Sequence, residues 1–216
     1  LREVNSNSAL QVKQIQELVD EKIDLLIVSP NEAEPLTPII DKVYKEGLPV
    51  IVLDRSTISK NYTAFIGASN YKVGANAGAY TNAVLKGKGN VLEINGVPIG
   101  SSADIGRHDG FADFLKQYPG IVCKPRYIAD TKTNDWEKTF EQFLSSNNDI
   151  DLIYAHDDRI AFSVANILKR LGLDQRMKVI GIDGLPGKNG GIELVEKGIL
   201  KATILYPTGG KEAIQT

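Results

Sequence analysis

The residues of this chain that could do chemistry stand directly behind short apolar runs. Asp54-Arg55 follows residues 50–53, and His156-Asp157-Asp158-Arg159 follows residues 152–155. Asp183-Gly184 follows residues 179–182, and Tyr206-Pro207 follows residues 202–205. Behind residues 91–94 comes the loop 95–102, and then Arg107 inside the next helical stretch. Trp136, beside Asp135, lies beyond the run 121–128. Carboxylates accept hydrogen bonds from hydroxyls, and an arginine donates two at fixed spacing. An indole ring covers the apolar C–H face of a pyranose or furanose. An anionic ligand would call for an excess of arginine, whereas here the acids match or outnumber the arginines. The set Asp54, Arg55, Arg107, Trp136, Asp157, Asp183 and Tyr206 therefore suits a neutral polyol.

Each residue also has a plain structural reading. An Asp behind a strand is often the N-cap of the following helix, which applies to Asp157 and Asp183. Asp54 and Arg55 could form a surface ion pair of small worth. Trp136 could be a packing anchor, and Arg107 a solvated helix residue. What raises the set above these readings is position, because in an open α/β sheet ligands bind beyond the carboxyl ends of the strands.

The elements that place these residues alternate along the chain. Spacing predicts helices at 8–21, 35–46, 71–85, between 102 and 118, and at 134–144, 157–171 and 192–197. Runs at 25–28, 50–53, 63–67, 91–94, 121–128, 152–155, 179–182 and 202–205 predict strands, with 25–28 buried on both faces. Pro35 falls in the first turn of its helix and Gly47 just past the end. Pro125 inside 121–128 puts that strand near an edge. Strand and helix in this order imply an α/β fold of doubly wound parallel sheets. The rhythm breaks only at residues 57–70, where a chain could cross from one lobe to another.

Several function classes drop out. The 216 residues carry 25 Lys+Arg against 27 Asp+Glu, a net charge of −2, which argues against a nucleic-acid surface. No apolar stretch approaches the ~18–20 residues that span a bilayer. The single cysteine, Cys123, excludes an internal disulfide and a cysteine-built metal site. His108 and His156 are not spaced as a metal pair and read as structural or peripheral. No G-x-G-x-x-G follows a strand, no phosphate-binding G-x-x-x-x-G-K-[ST] occurs, and Gly100-Ser101-Ser102 is no nucleophile elbow. We expect no catalytic residues, no metal, no cofactor and no enzymatic activity.

The chain resembles the type I periplasmic binding proteins, the ribose-binding and LacI-like superfamily. The matching stretches are Asn7 with a Gln-bearing helix, Asp24-Leu25-Leu26-Ile27-Val28-Ser29-Pro30, Gly47-Leu48-Pro49-Val50 and Leu53-Asp54-Arg55. Further along come Arg107-His108-Asp109-Gly110-Phe111, Ala155-His156-Asp157-Asp158 and Gly181-Ile182-Asp183-Gly184. They run in the family's order from start to end. Residues 29–38 and 203–210 are similar to the sugar-sensing ectodomains of hybrid two-component histidine kinases. The resemblance implies sugar contacts from Asp54, Arg55, Arg107 and Asp183, with Trp136 where the family often places an aromatic wall. Asp157 stands where ribose binders usually carry Asn, and Tyr206 where they carry a hinge-strand Gln. With Asp157 there the ligand need not be ribose, and Tyr206 is a second departure.

The resemblance further implies two lobes joined by a hinge. Residues 1–68 and 207–216 would form an incomplete N-terminal lobe and 69–206 the C-terminal lobe, with the sugar in a cleft between them. The first strand–helix unit and the C-terminal end would be lacking, residues 1–4 would read as the second strand, and both termini would be limits of a fragment. The function implied is binding of a monosaccharide such as a pentose or ketohexose by the periplasmic sensor of a membrane-linked kinase, acting through a homodimer. The alternatives are a transport sugar-binding protein that delivers to a permease, or the cytoplasmic effector domain of a LacI-type regulator.

Overall fold

A computed structural model describes residues 1–4, 6–96, 99–133 and 135–207. The chain divides into two compact units. The first runs through Ser69 and takes in the helix start up to Ile105; the second holds Asn70 to the end of the fourth strand and Gly106 through Tyr206.

In the first unit, α1 (Ser8–Asp20), β1 (Leu26–Val28), α2 (Ala33–Lys45), β2 (Val50–Leu53) and β3 (Ala64–Ile66) follow in turn. The strands are parallel in the order β1-β2-β3. Asn7 caps α1 by accepting from the Leu10 N–H at 3.0 Å. Helix α2 begins at Ala33, two residues before the predicted start, which still leaves Pro35 in the first turn. Gly47 follows with φ of 97°, a left-handed stop that favours glycine. The core joins Ile15 of α1 and Leu36, Ile40 and Val43 of α2 to Leu26, Val28, Val50 and Val52. Two expectations need correction. Strand β1 is buried on one face only: Leu26 and Val28 meet the helices, while Ile27 is 56% exposed. Residues 1–4 take no strand, and the sheet of this unit consists of β1, β2 and β3.

The second unit contains α3 (Asn70–Leu85), β4 (Gly89–Asn95), the body of α4 (Ser102–Leu115), β5 (Ile121–Cys123), β6 (Tyr127–Ile128), α5 (Trp136–Ser146) and β7 (Leu152–Ala155). It continues with α6 (Asp158–Arg170), β8 (Lys178–Asp183), α7 (Gly191–Glu196) and β9 (Ala202–Leu205). The sheet is parallel, ordered β5-β4-β7-β8-β9, with β6 also pairing to β4. Pro125 splits the predicted strand 121–128 into β5 and β6, because proline has no N–H for the ladder. Alternation along the strands sends side chains to two apolar layers. Val91, Leu152, Tyr154, Ile180 and Ile182 meet Val73 and Ala77 of α3 and Phe111 and Leu115 of α4. Leu92, Ile94, Ile153 and Val179 meet Phe140 of α5, Val164 of α6 and Leu194 of α7. The strands' carboxyl ends thus form one edge, and β4, β7, β8 and β9 each deliver polar residues there.

Candidate ligand-binding site

At this edge of the second unit the buried centre is Arg107, 4% exposed on α4. A guanidinium out of water needs acceptors for its N–H groups. Nε donates to Oδ1 of Asn70 at 3.0 Å, and Nη1 donates to the carbonyl oxygen of His156 just beyond β7. Nη2 lies 3.5 Å from Oδ1 of Asp183, the last residue of β8. The guanidinium carbon sits 5.2 Å from the ring centroid of Tyr206, a cation–π distance. The Tyr206 N–H donates back to the Asp183 carbonyl at 3.2 Å. Arg107, Asp183 and Tyr206 of the sequence-derived set therefore meet, and two of the five guanidinium N–H groups are used by Asn70 and His156.

Helix packing sets this geometry. A Cβ at Gly74 of α3 would lie 2.1 Å from the Arg107 carbonyl oxygen, and one at Gly110 of α4 would lie 2.0 Å from that of Tyr71. Only residues without a side chain allow the two backbones so close. That approach brings Asn70, the first residue of α3, alongside Arg107.

Asp183 is under electrostatic and conformational load. Burial pushes its carboxyl up to about 6, against the pull of Arg107, and Asp157 and Asp158 add to the rise. Its φ of 116° lies in the left-handed range that L residues seldom adopt. Asp157 is the N-cap of α6, its Oδ1 accepting from Ile160 N–H at 2.8 Å, so one oxygen is committed to the helix. Asp158, 1% exposed, is a structural tie. It accepts from the Leu185 N–H at 2.8 Å and from the Thr203 hydroxyl at 2.6 Å. Trp136, at the start of α5, is partly buried, with one side packed against the apolar layer around Phe140.

In the first unit, Asp54 follows β2 with a φ of 60°, exposed, its N–H donating to Ile66 O at 2.8 Å. Arg55 Nη1 donates to the Asn31 carbonyl at 3.3 Å, and its Nε lies 4.0 Å from Asp54 Oδ2. Buried Asn31 is fixed by Gln11, which accepts from its N–H at 2.8 Å, and by Ser8, which accepts from Nδ2 at 2.8 Å. Sequence reasoning missed Asn31, Asn70 and Glu93. Asn31 stands in the quoted stretch 29–38, and Glu93 interrupts an apolar run; Asn70 left no signal, because its role depends on helix contact. Among the described residues no group of three or more His, Cys, Asp or Glu is arranged to hold a metal.

Residues 3–215 match the model of the periplasmic binding protein domain. The fructose-binding periplasmic domain of a hybrid two-component system superposes with a TM-score of 0.91 and 40% identity, over 99% of this chain and 71% of that one. The ribose import binding protein of Bacillus subtilis (strain 168) is 27% identical over 182 residues, 84% of this chain and 58% of its own length. The galactofuranose-binding protein of Escherichia coli (strain K12) is 28% identical over 185 residues, 82% of this chain and 58% of its own length. The chain thus spans less than two thirds of these two curated relatives.

Proposed function

Because the chain belongs to the periplasmic binding protein domain family, we propose that it binds a neutral monosaccharide without transforming it, as the extracytoplasmic sensor domain of a signalling kinase. The observation that carries the reading is the cluster of Arg107, Asp183 and Tyr206. A fixed guanidinium offers paired donors, a carboxylate offers acceptors, and a phenol ring offers an apolar face. Vicinal hydroxyls on a sugar ring present the complementary pattern. A preorganised arginine also loses little side-chain entropy when ligand arrives.

Asp54 and Arg55 of the first unit and Asp157 are proposed as further ligand contacts, and Trp136 as an aromatic contact, from their places behind strands. The 40% identical relative described as fructose-binding makes fructose the first ligand to try, with other ketohexoses and pentoses next. That same relative belongs to a two-component system, which favours sensing. The ribose import and galactofuranose-binding relatives favour a second reading, sugar capture for transport. A kinase encoded downstream supports the sensor, and a partner permease the transporter.

A thermal-shift panel of neutral sugars tests the binding. A ligand at about 100 times its Kd adds ~2.7 kcal/mol. For a domain of this size that raises Tm by roughly 5–10 °C. A panel in which only phosphorylated compounds or nucleobases raise Tm would reject the sugar.

A further inference from the structure

Glu93 is a carboxylate inside an apolar layer. It projects from the middle of β4 on the face covered by α3 and α4, and is 6% exposed. Its neighbours on that face include Val91, Phe111 and Tyr154, the last two stacked at 4.3 Å. A charge buried there is costly unless donors meet it. Two imidazoles do: His156 Nε2 is 2.6 Å from Oε1, and His108 Nδ1 is 2.8 Å from Oε2. Burial alone would raise the Glu93 carboxyl, but the bonds from His156 and His108 hold it below its ordinary value. The Cys123 thiol of β5 is pushed up, by burial first and by the charge of Glu93 second.

An ionised carboxylate only accepts, so both ring nitrogens must carry hydrogen. His108 therefore donates from Nδ1 and His156 from Nε2. Each of these histidines is also joined to Arg107, one by the chain and one by a hydrogen bond. His108 is the residue after Arg107 on α4, and the His156 carbonyl accepts from Arg107 Nη1.

We propose that Glu93 is the positioning residue of Arg107: its two oxygens tie α4, through His108, to the end of β7, through His156, and so hold the guanidinium against the His156 carbonyl. The inference rests on reading Arg107 as a sugar contact. The pairing of His108 Nδ1 with Glu93 Oε2 is the accessible half of the brace, since the His108 side chain is 42% exposed while that of His156 is fully buried. His108→Ala removes that half without opening the core, and His108→Asn keeps an N–H donor at the reach of Nδ1.

The test has a sugar-free arm and a sugar arm. In the sugar-free protein, ¹⁵N spectra should show the His108 Nδ1 protonated, whereas a neutral imidazole left to solvent favours the Nε2 tautomer. Arg107 Nε–H exchange should be slow in wild type, faster in His108→Ala by about three- to tenfold, the equivalent of one lost hydrogen bond, and restored in His108→Asn. Fructose affinity, by calorimetry, should weaken over the same range in His108→Ala and recover in His108→Asn. An unprotonated His108 Nδ1, or Arg107 exchange unchanged in His108→Ala, overturns the brace whatever the sugar does. Faster exchange in His108→Ala, with a wild type that binds no neutral sugar, keeps the brace and overturns the sugar reading instead.

Discussion

Asp183 holds a negative charge in a place that disfavours it, at a backbone angle that disfavours it too. Its carboxyl is raised to about 6 from an ordinary 3.8, chiefly by burial, so the folded state holds the proton more tightly than the unfolded chain. The sign follows: stability falls as pH rises from near 4 to near 6, and the loss is complete above 6. Asp183→Asn imitates the protonated acid. The variant should gain Tm over wild type at pH 7.5 and show little gain at pH 4, which paired melting curves would reveal. Equal differences at both pH values would mean that Asp183 does not titrate near 6. The same variant should bind sugar worse, because the amide offers one acceptor where the carboxylate offered two. Stability surrendered for an acceptor is the expected mark of a binding residue. At this scale the sequence was partly legible. Asp183, Arg107 and Tyr206 were visible because each stands behind a strand or in the helix that follows one. Glu93 and Asn70 were not: a lone acid in an apolar run and an asparagine at a helix start acquire meaning only from what packs across from them.

The elements hold these residues by close contact. Helices α3 and α4 touch backbone to backbone at Gly74 and Gly110, and this contact sets the Asn70 amide beside Arg107. Gly74→Ala would drive a methyl into the Arg107 carbonyl, so the helices must part. We expect a loss of ~1–3 kcal/mol, typical of overpacking, together with weaker sugar binding. Gly78→Ala meets the Phe114 Cβ at 3.0 Å, a softer neighbour, and should cost less on both counts. Denaturant melts and titrations of the pair would check the order; a Gly74→Ala protein as stable as wild type would show that the contact is loose. Alternating periodicity made the strands and helices readable to within a few residues. It could not show that residues 25–28 are buried on one face only, because an apolar run looks the same whether one helix layer covers it or two. Nor could it separate β5 from β6, although Pro125 marked the place.

At the scale of the whole chain, the order of elements made a parallel α/β architecture legible, since alternating strands and helices leave few other arrangements. The polar edge was legible for the same reason. What periodicity leaves open is which acids face a ligand and which cap helices; Asp157 and Asp158 are adjacent in sequence, yet one caps α6 and the other ties α6 to Leu185 and Thr203. Arg107 and Asp183 are proposed as the docking point for an uncharged sugar. Calorimetric titration of wild type and Asp183→Asn with fructose and a set of neutral monosaccharides tests it most directly. At least one of them should bind saturably and one-to-one, about tenfold or more weaker in Asp183→Asn, a loss of ~1.4 kcal/mol or more. Wild-type affinity retained in Asp183→Asn, or no binding of any neutral sugar by wild type, would contradict it.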